Sequence, residues 1–203
     1  MLYHINMRPT INEIKTIFNN NVMGKTYILP KTTNKGRPGI FLEQLLNIPT
    51  STACLDCQDG ELKLYPIYKK SNGDFGVKET VAITMRGLSD KNLEKEKIEW
   101  EYSDLRKKTN NILFISYYRE GDNITYYNSC GFDYTHPCYN DFKNDYDKII
   151  DFYRLNGIRE SGNTINGKHI QGRTKGPGGS SKKTVGFYFR GDFMRNIILN
   201  NQL

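Results

Sequence analysis

No stretch of this 203-residue chain approaches the about 20 consecutive apolar residues of a membrane-spanning helix, so such a helix is not expected. The opening MLYHINMRPT lacks the apolar segment of a signal peptide, so secretion by that route is not expected either, and an intracellular, reducing compartment is. Cysteine is scarce: Cys54, Cys57, Cys130 and Cys138 are read as thiols or metal ligands rather than disulfides. Acidic residues are outnumbered, 22 against 29 Lys and Arg, and the net charge of +7 favours a polyanionic partner. No internal repeat is present. Aromatic residues are plentiful, with 14 Tyr and 10 Phe, which sets the chain apart from disordered compositions. The length suits one domain with a sizeable core and room for two lobes.

Periodicity divides the chain into helices and strands. Thr10 and Glu13 make a T-x-x-E capping box, and Ile14, Ile17 and Phe18 share a face, which predicts a helix over 10–20. The basic loop PKTTNKGRPG (30–39) runs through Pro38, suited to a first helical turn, into FLEQLL. There Leu42, Leu45 and Leu46 form an apolar stripe with Glu43 beside it. Asp59-Gly60 signals a turn, and ELKLYPI then alternates as a strand. VKETVAITM (77–85) and NILFISYY, running into Arg119, read as strands rich in β-branched and aromatic residues. Lysines and glutamates over 91–101 predict a solvated helix or linker. Residues 141–155 place Phe142, Tyr146, Ile149, Ile150 and Tyr153 on one helical face, with Gly157 near the stop. After a polar, basic, glycine-rich segment (160–183), TVGFYF is a last strand, and Asp192 is placed to cap a final helix, FMRNIIL. The mixture predicts an α/β or α+β domain with a mixed sheet.

The stretch CLDCQDGELKLYPI (54–67) supports two chemistries. Alternate side chains of a strand point the same way, so Glu61 and Lys63 share a face, roughly 7 Å apart, while Leu62 and Leu64 face a core. Asp56 precedes the turn and can fold back beside Glu61. Two adjacent carboxylates repel unless a cation neutralises them, and hard oxygen donors with no histidine nearby suit Mg²⁺. The ion activates a water, and Lys63 orients it or stabilises the charge that develops on phosphate. The bland alternative is a surface hairpin with ordinary charges, because D-x4-E-x-K also occurs by chance. The second chemistry takes Cys54 and Cys57 with Cys130 and Cys138 as a four-thiolate zinc site, His136 in reserve. The C-x7-C spacing is loose for such a site, and free or buried thiols are the default.

Basic residues flank this stretch on both sides. Lys31, Lys35 and Arg37 precede the Glu43 helix, and Lys168, Arg173, Lys175, Lys182 and Lys183 crowd the glycine-rich stretch. Gly176, Gly178 and Gly179 would let backbone amides approach phosphates, so DNA contact is preferred over a merely solvated surface. His169 is read as a phosphate contact or, more simply, as a surface residue.

NKGRPGIFLEQLL, DCQDGELK, KKTNNILFIS and IQGRTKGPGGSSKKTVGFYFRGDFMRNII follow one another in an order that resembles the MutH family and the GATC-cutting restriction endonucleases related to it. The resemblance runs from about residue 25 to 199. It implies a PD-(D/E)xK nuclease core, a central mixed sheet flanked by helices with a DNA cleft between two lobes, in one domain over 1–203. It implies roles residue by residue. Glu43 matches the helix glutamate that supports the metal site. Asp56 or Asp59 matches the first metal-binding aspartate, and Asp56 is preferred because Asp59 before Gly60 is explained as a turn residue. Glu61 and Lys63 match the E-x-K pair, and Lys108 matches a second active-site lysine ahead of a strand. Arg173 and Lys175 match a DNA-contacting arginine-x-lysine strand. Tyr188 matches the tyrosine near the adenine whose methylation is sensed, and Arg190 follows it in the same segment.

The chain departs from the family in a shorter loop between aspartate and glutamate, and a second, inactive domain like that of larger relatives is not expected within its 203 residues. The function implied is a type II-like, sequence-specific endonuclease that uses one or two Mg²⁺ ions on double-stranded DNA at GATC-like sites, as a monomer or as a dimer on DNA. The alternatives are a methylation-sensing nicking enzyme, a catalytically silent DNA-binding module and a zinc-stabilised interaction protein. A silent copy has no reason to keep Glu43, Asp56, Glu61, Lys63 and Lys108 together.

Overall fold

The computed structural model describes residues 8–31, 36–49, 51–89, 97–158, 164–175 and 184–200, with the backbone alone for 85–89 and 175. It is a mixed α/β structure. Helix α1 (Ile11–Asn21) is capped as its sequence predicts: Thr10 and Glu13 close the reciprocal capping box, and Ile11, Ile14 and Phe18 turn inward. Helix α2 (Arg37–Leu45) has Pro38 in its first turn and buries Leu42. Among the described residues, a five-stranded mixed sheet is ordered β1 (Thr26–Ile28), β6 (Asn123–Asp133), β5 (Asn111–Glu120), β2 (Glu61–Lys69), β3 (Phe75–Val77). A four-stranded antiparallel sheet is ordered β4 (Val81–Ser89), β9 (Thr184–Phe189), β8 (Ile170–Lys175), β7 (Thr164–Asn166).

Strand β5 is the middle strand of the five-stranded sheet. Its Leu113 and Ile115 join the core made by α1, α2, Leu62 and Tyr126. Its Ile112 and Phe114 join a second core on the opposite face. That core is completed by Tyr65, by Phe187 and Phe189 of β9, by helix α4 (Asn140–Asn156), and by the terminal helix α5 (Gly191–Phe193), which continues as a π-helical turn over Met194–Leu199. A strand buried on both faces reads as an unbroken apolar run, and NILFI is one. Helix α4 buries Phe142, Tyr146, Ile149, Ile150 and Tyr153, the face its periodicity predicts. The β5–β6 hairpin closes over Gly121-Asp122, where Gly121 adopts φ +60°, a value that glycine takes without a Cβ penalty.

Several expectations change. VKETVAITM is two strands, β3 and β4, separated around Glu79-Thr80. Strand β6, NITYYNSCGFD, carries too many polar residues to announce itself, and its partner β5 supplies its order. Of the lysine- and glutamate-rich stretch, residues 91–96 lie outside the described residues. Residues 97–103 form a strap whose Trp100 is buried against Tyr139 and Tyr146. Asp192 does not cap the last helix: it sits inside the first turn and pairs with Arg190 and Arg195, while Arg190 takes the cap position.

Gly60 is explained by space rather than by turn geometry. A Cβ there would lie 2.5 Å from the Asn111 carbonyl oxygen and 2.6 Å from Ile11 Cγ1. Gly60→Ala is expected to cost about 1–3 kcal/mol of stability through overpacking. Gly39→Ala, whose Cβ would meet nothing within 4 Å, should leave stability unchanged or slightly higher. Thermal melts of the two variants check the contrast, and equal melting temperatures would refute the close-approach explanation.

Candidate active site

Strands β2 and β5 run parallel, with Glu61 opposite Ile112 and Lys63 opposite Phe114. Whatever begins β2 and whatever precedes β5 therefore meet at one sheet edge. Glu61 is the first residue of β2, and its side chain is 2% exposed. Lys63 Nζ donates to Glu61 Oε1 at 2.7 Å, and Lys108 Nζ donates to the same oxygen at 2.7 Å. Two ammonium groups thus offset the cost of burying one carboxylate. The other carboxylate oxygen, Oε2, is buried with no hydrogen-bond partner. A buried acceptor left unpaired is costly, and this one marks a position where a donor or cation would be bound favourably.

Lys108 arrives through local structure that its own sequence dictates. It occupies the last turn of helix α3 (Asp104–Thr109), whose N-cap Ser103 accepts the Arg106 amide at 3.1 Å. The Trp100 strap leads directly into that cap. Sequence reasoning passed over this strap, although the chain's only tryptophan was a signal for a buried anchor.

Asp56 lies in the loop before β2 and accepts the Leu62 amide at 3.1 Å, which turns its carboxylate toward the start of the strand. Burial and then the Glu61 charge hold its carboxyl above the ordinary value of 3.8, with Lys63 pulling the other way. Glu43, half-buried on α2, is likewise raised, by burial, then by Asp56, with Lys63 opposing. These carboxylates and lysines feel one another as a single electrostatic group. Asp59 stands apart. Its carboxylate accepts the Ile11 amide at 2.8 Å and its carbonyl accepts from Asn111, so it ties the loop to the start of α1.

Among the described residues, no three His, Cys, Asp or Glu side chains already form a metal cage. The hard oxygen donors at this edge are the unpartnered Glu61 Oε2 and the Asp56 carboxylate, a donor set that fits Mg²⁺ with waters completing its shell. The four-thiolate zinc site is ruled out by the fold. Cys57 lies in the core on the α1 and α2 side, Cys130 and Cys138 on the other face of the sheet, and Cys54 is exposed. Burial, then the Asp56 charge, pushes the Cys57 thiol up to about 12, which leaves it unreactive.

The basic flanks divide. Lys35, Lys182 and Lys183 lie outside the described residues, as do Gly176, Gly178 and Gly179, and of Lys175 only the backbone is described. Arg37 is committed within the protein, donating to the Pro30 carbonyl at 3.1 Å and pairing with Asp122 at 3.1 Å. Arg190 is committed as well, donating to the carbonyls of Gly167 and Lys168. Both guanidinium groups fasten loops within the protein. Tyr188 is buried, and the exposed Arg173 guanidinium lies over its ring at 5.3 Å and donates to Thr80 Oγ1 at 3.4 Å. Tyr188 is therefore placed to support Arg173 rather than to face solvent. His169 pairs with Asp141 at 3.1 Å.

Residues 50–136 match the model of a protein family described as DNA mismatch repair enzyme MutH. That segment encloses Asp56, Glu61, Lys63 and Lys108, and the chain is MutH-like there. Among solved structures, the chain is similar to one described as a restriction endonuclease MvaI–cognate DNA substrate complex. The identity is 14% and the TM-score 0.42, over 90% of this chain and 92% of that chain. A comparison with curated proteins gives no match.

The raised carboxyl of Asp56 has a consequence for stability. Its charged form is disfavoured in the fold relative to the unfolded chain, so ionised Asp56 subtracts from stability above its folded pKa. The penalty fades as the pH falls through the folded pKa, and is gone below 3.8, where both states hold the proton. Asp56→Asn should therefore raise the melting temperature of the metal-free protein at neutral pH, with the gain shrinking on acidification. A lower melting temperature at neutral pH would show that the carboxylate is a net stabiliser.

Proposed function

We propose, from the MutH-like segment that encloses Asp56, Glu61, Lys63 and Lys108, that this chain is a divalent-metal-dependent, sequence-specific DNA endonuclease with a PD-(D/E)xK core, formed as one domain over 1–203 and acting inside the cell on double-stranded DNA. The observation that carries the reading is the convergence of two lysines, from different elements, on one oxygen of a buried glutamate whose other oxygen is unpartnered. Among the described residues no helix is long and apolar enough to cross a membrane.

Asp56 and Glu61 would hold Mg²⁺, one ion or two, with Glu43 shaping the charge around them. When bound, the ion supplies the Lewis acidity that makes water a nucleophile at neutral pH and offsets charge on a phosphate oxygen. The chain's own residues do the rest. Asp56 is oriented by the Leu62 amide, and Glu61 by its two lysines. Because both ammonium groups share Oε1, one can turn toward a phosphate oxygen while the other keeps Glu61 paired. The ammonium that turns then stabilises the negative charge that grows in the transition state. The exposed Arg173, supported by the Tyr188 ring, contacts the DNA backbone, together with Lys35, Lys175, Lys182 and Lys183. The site is GATC-like, with 5′-phosphate and 3′-hydroxyl ends, by resemblance to the GATC-cutting enzymes.

Incubation with unmethylated plasmid and Mg²⁺, followed by sequencing of the ends, tests all of this at once. Discrete fragments ending at GATC are expected. Ends at another sequence would overturn the site while leaving the nuclease reading, nicks alone would favour a strand-nicking enzyme, and uncut plasmid would leave a DNA-binding module. Glu61→Gln, Lys63→Ala and Lys108→Ala should each lower the cleavage rate about a hundredfold or more. DNA affinity, measured by anisotropy, should stay near that of the unmodified protein. Binding should weaken steeply with salt, and Arg173→Ala should weaken it across sequences and lower the salt slope by about one.

A further inference from the structure

Asp145 lies on the apolar face of α4, between Phe142 and Ile149, and is 4% exposed. A leucine at such a position would stabilise a helix–sheet contact, whereas a buried carboxylate is costly unless fully hydrogen-bonded. Asp145 is satisfied by backbone amides rather than by a cation. Its Oδ1 accepts from the Lys168 amide, and its Oδ2 accepts from the amides of His169 at 2.7 Å and Ile170 at 2.9 Å. The first two of these amides belong to the turn between β7 and β8, and the third to the first residue of β8.

Cations take the carbonyls at the end of β7 and the start of the turn, and the Arg190 amide takes that of His169. Arg190 Nη1 donates to Gly167 at 2.7 Å and to Lys168 at 3.2 Å, and Lys148 Nζ donates to Asn166 at 2.9 Å. A Cβ on Gly167 would fall on the Asp145 carboxylate, so only glycine lets the turn approach this closely. Strand β8 is thus fixed at its first residue, Ile170. Three residues further along it carries Arg173, opposite Thr164 of β7 and over the Tyr188 ring of β9.

We propose that Asp145 is the positioning residue of the DNA-contacting hairpin: its carboxylate clamps the Lys168–Ile170 amides and so sets where Arg173 stands relative to the catalytic edge. The proposal rests on Arg173 contacting DNA, and the plasmid assay judges nuclease activity independently of it. A double-mutant cycle tests the coupling, with DNA affinity measured by anisotropy on Asp145→Asn, Arg173→Ala and the pair. Loss of a charged acceptor for buried amides is expected to weaken binding about tenfold. The pair should bind no more weakly than Arg173→Ala alone, and Asp145→Asn by itself, at saturating DNA, should cleave at the rate of the unmodified protein. Additive losses, or no loss in Arg173→Ala, would overturn the proposal. Gly167→Ala replaces Asp145→Asn in the cycle if the latter gives no cooperative melt. Hydrogen exchange on the unmodified protein supplies a check that needs no variant. The amides of Lys168, His169 and Ile170 should exchange as slowly as those of core strands, and exchange as fast as that of exposed loops would overturn the clamp.

Discussion

The parallel pairing of β2 with β5 is the constraint on which the rest depends. In a parallel pair both strands start at the same edge, so the loop before β2 and the helix before β5 are forced together. That geometry brings Lys108 to Glu61 across 47 positions of sequence. It also leaves β5 buried on both faces, between the α1–α2 core and the larger aromatic core. Glu61 and Lys63 are therefore held on a paired strand, and Lys108 on the helix that leads into β5. Rigid support of this kind is what charged groups need if they are to meet a reacting phosphate without reorganising.

Charge at that edge is arranged against stability. Glu61 is almost fully buried, one of its oxygens carries two ammonium groups and the other none, and Asp56 and Glu43 are crowded enough that their carboxyls are raised. A fold selected for stability alone would not concentrate three carboxylates and leave a buried acceptor unpaired. Such groupings are characteristic of functional sites, where the missing partner arrives with the ligand. The Asp145 turn shows the opposite solution. There a buried carboxylate is saturated by amides, and its role is geometric.

Much of the architecture was legible in one dimension. The α1 capping box, the Pro38 entry to α2, the apolar face of α4 and the NILFI run of β5 each follow from short-range rules, and each is present. The E-x-K spacing placed Glu61 and Lys63 on one strand face because alternation is a property of the strand itself. Strand β6 was not legible, because its burial comes from β5 and its own polar residues hide the alternation. Asp145 was visible only as a polar residue in an apolar stripe, and its partners lie 23 to 25 positions away.

The sequence by itself determined the local elements, the basic balance, and the residue types gathered in Asp56, Glu61 and Lys63, since each depends on neighbours a few positions apart. Only the tertiary structure decided what each charge does. Arg37 and Arg190 are as basic in sequence as Arg173, yet Asp122 and the carbonyls of Gly167 and Lys168 engage them and leave Arg173 exposed. The cysteines are separated for the same reason: the sheet passes between Cys57 and Cys130, and no spacing rule reveals on which side of it a side chain falls. Charge and thiol chemistry depend on distance and burial in three dimensions, and those are set by packing.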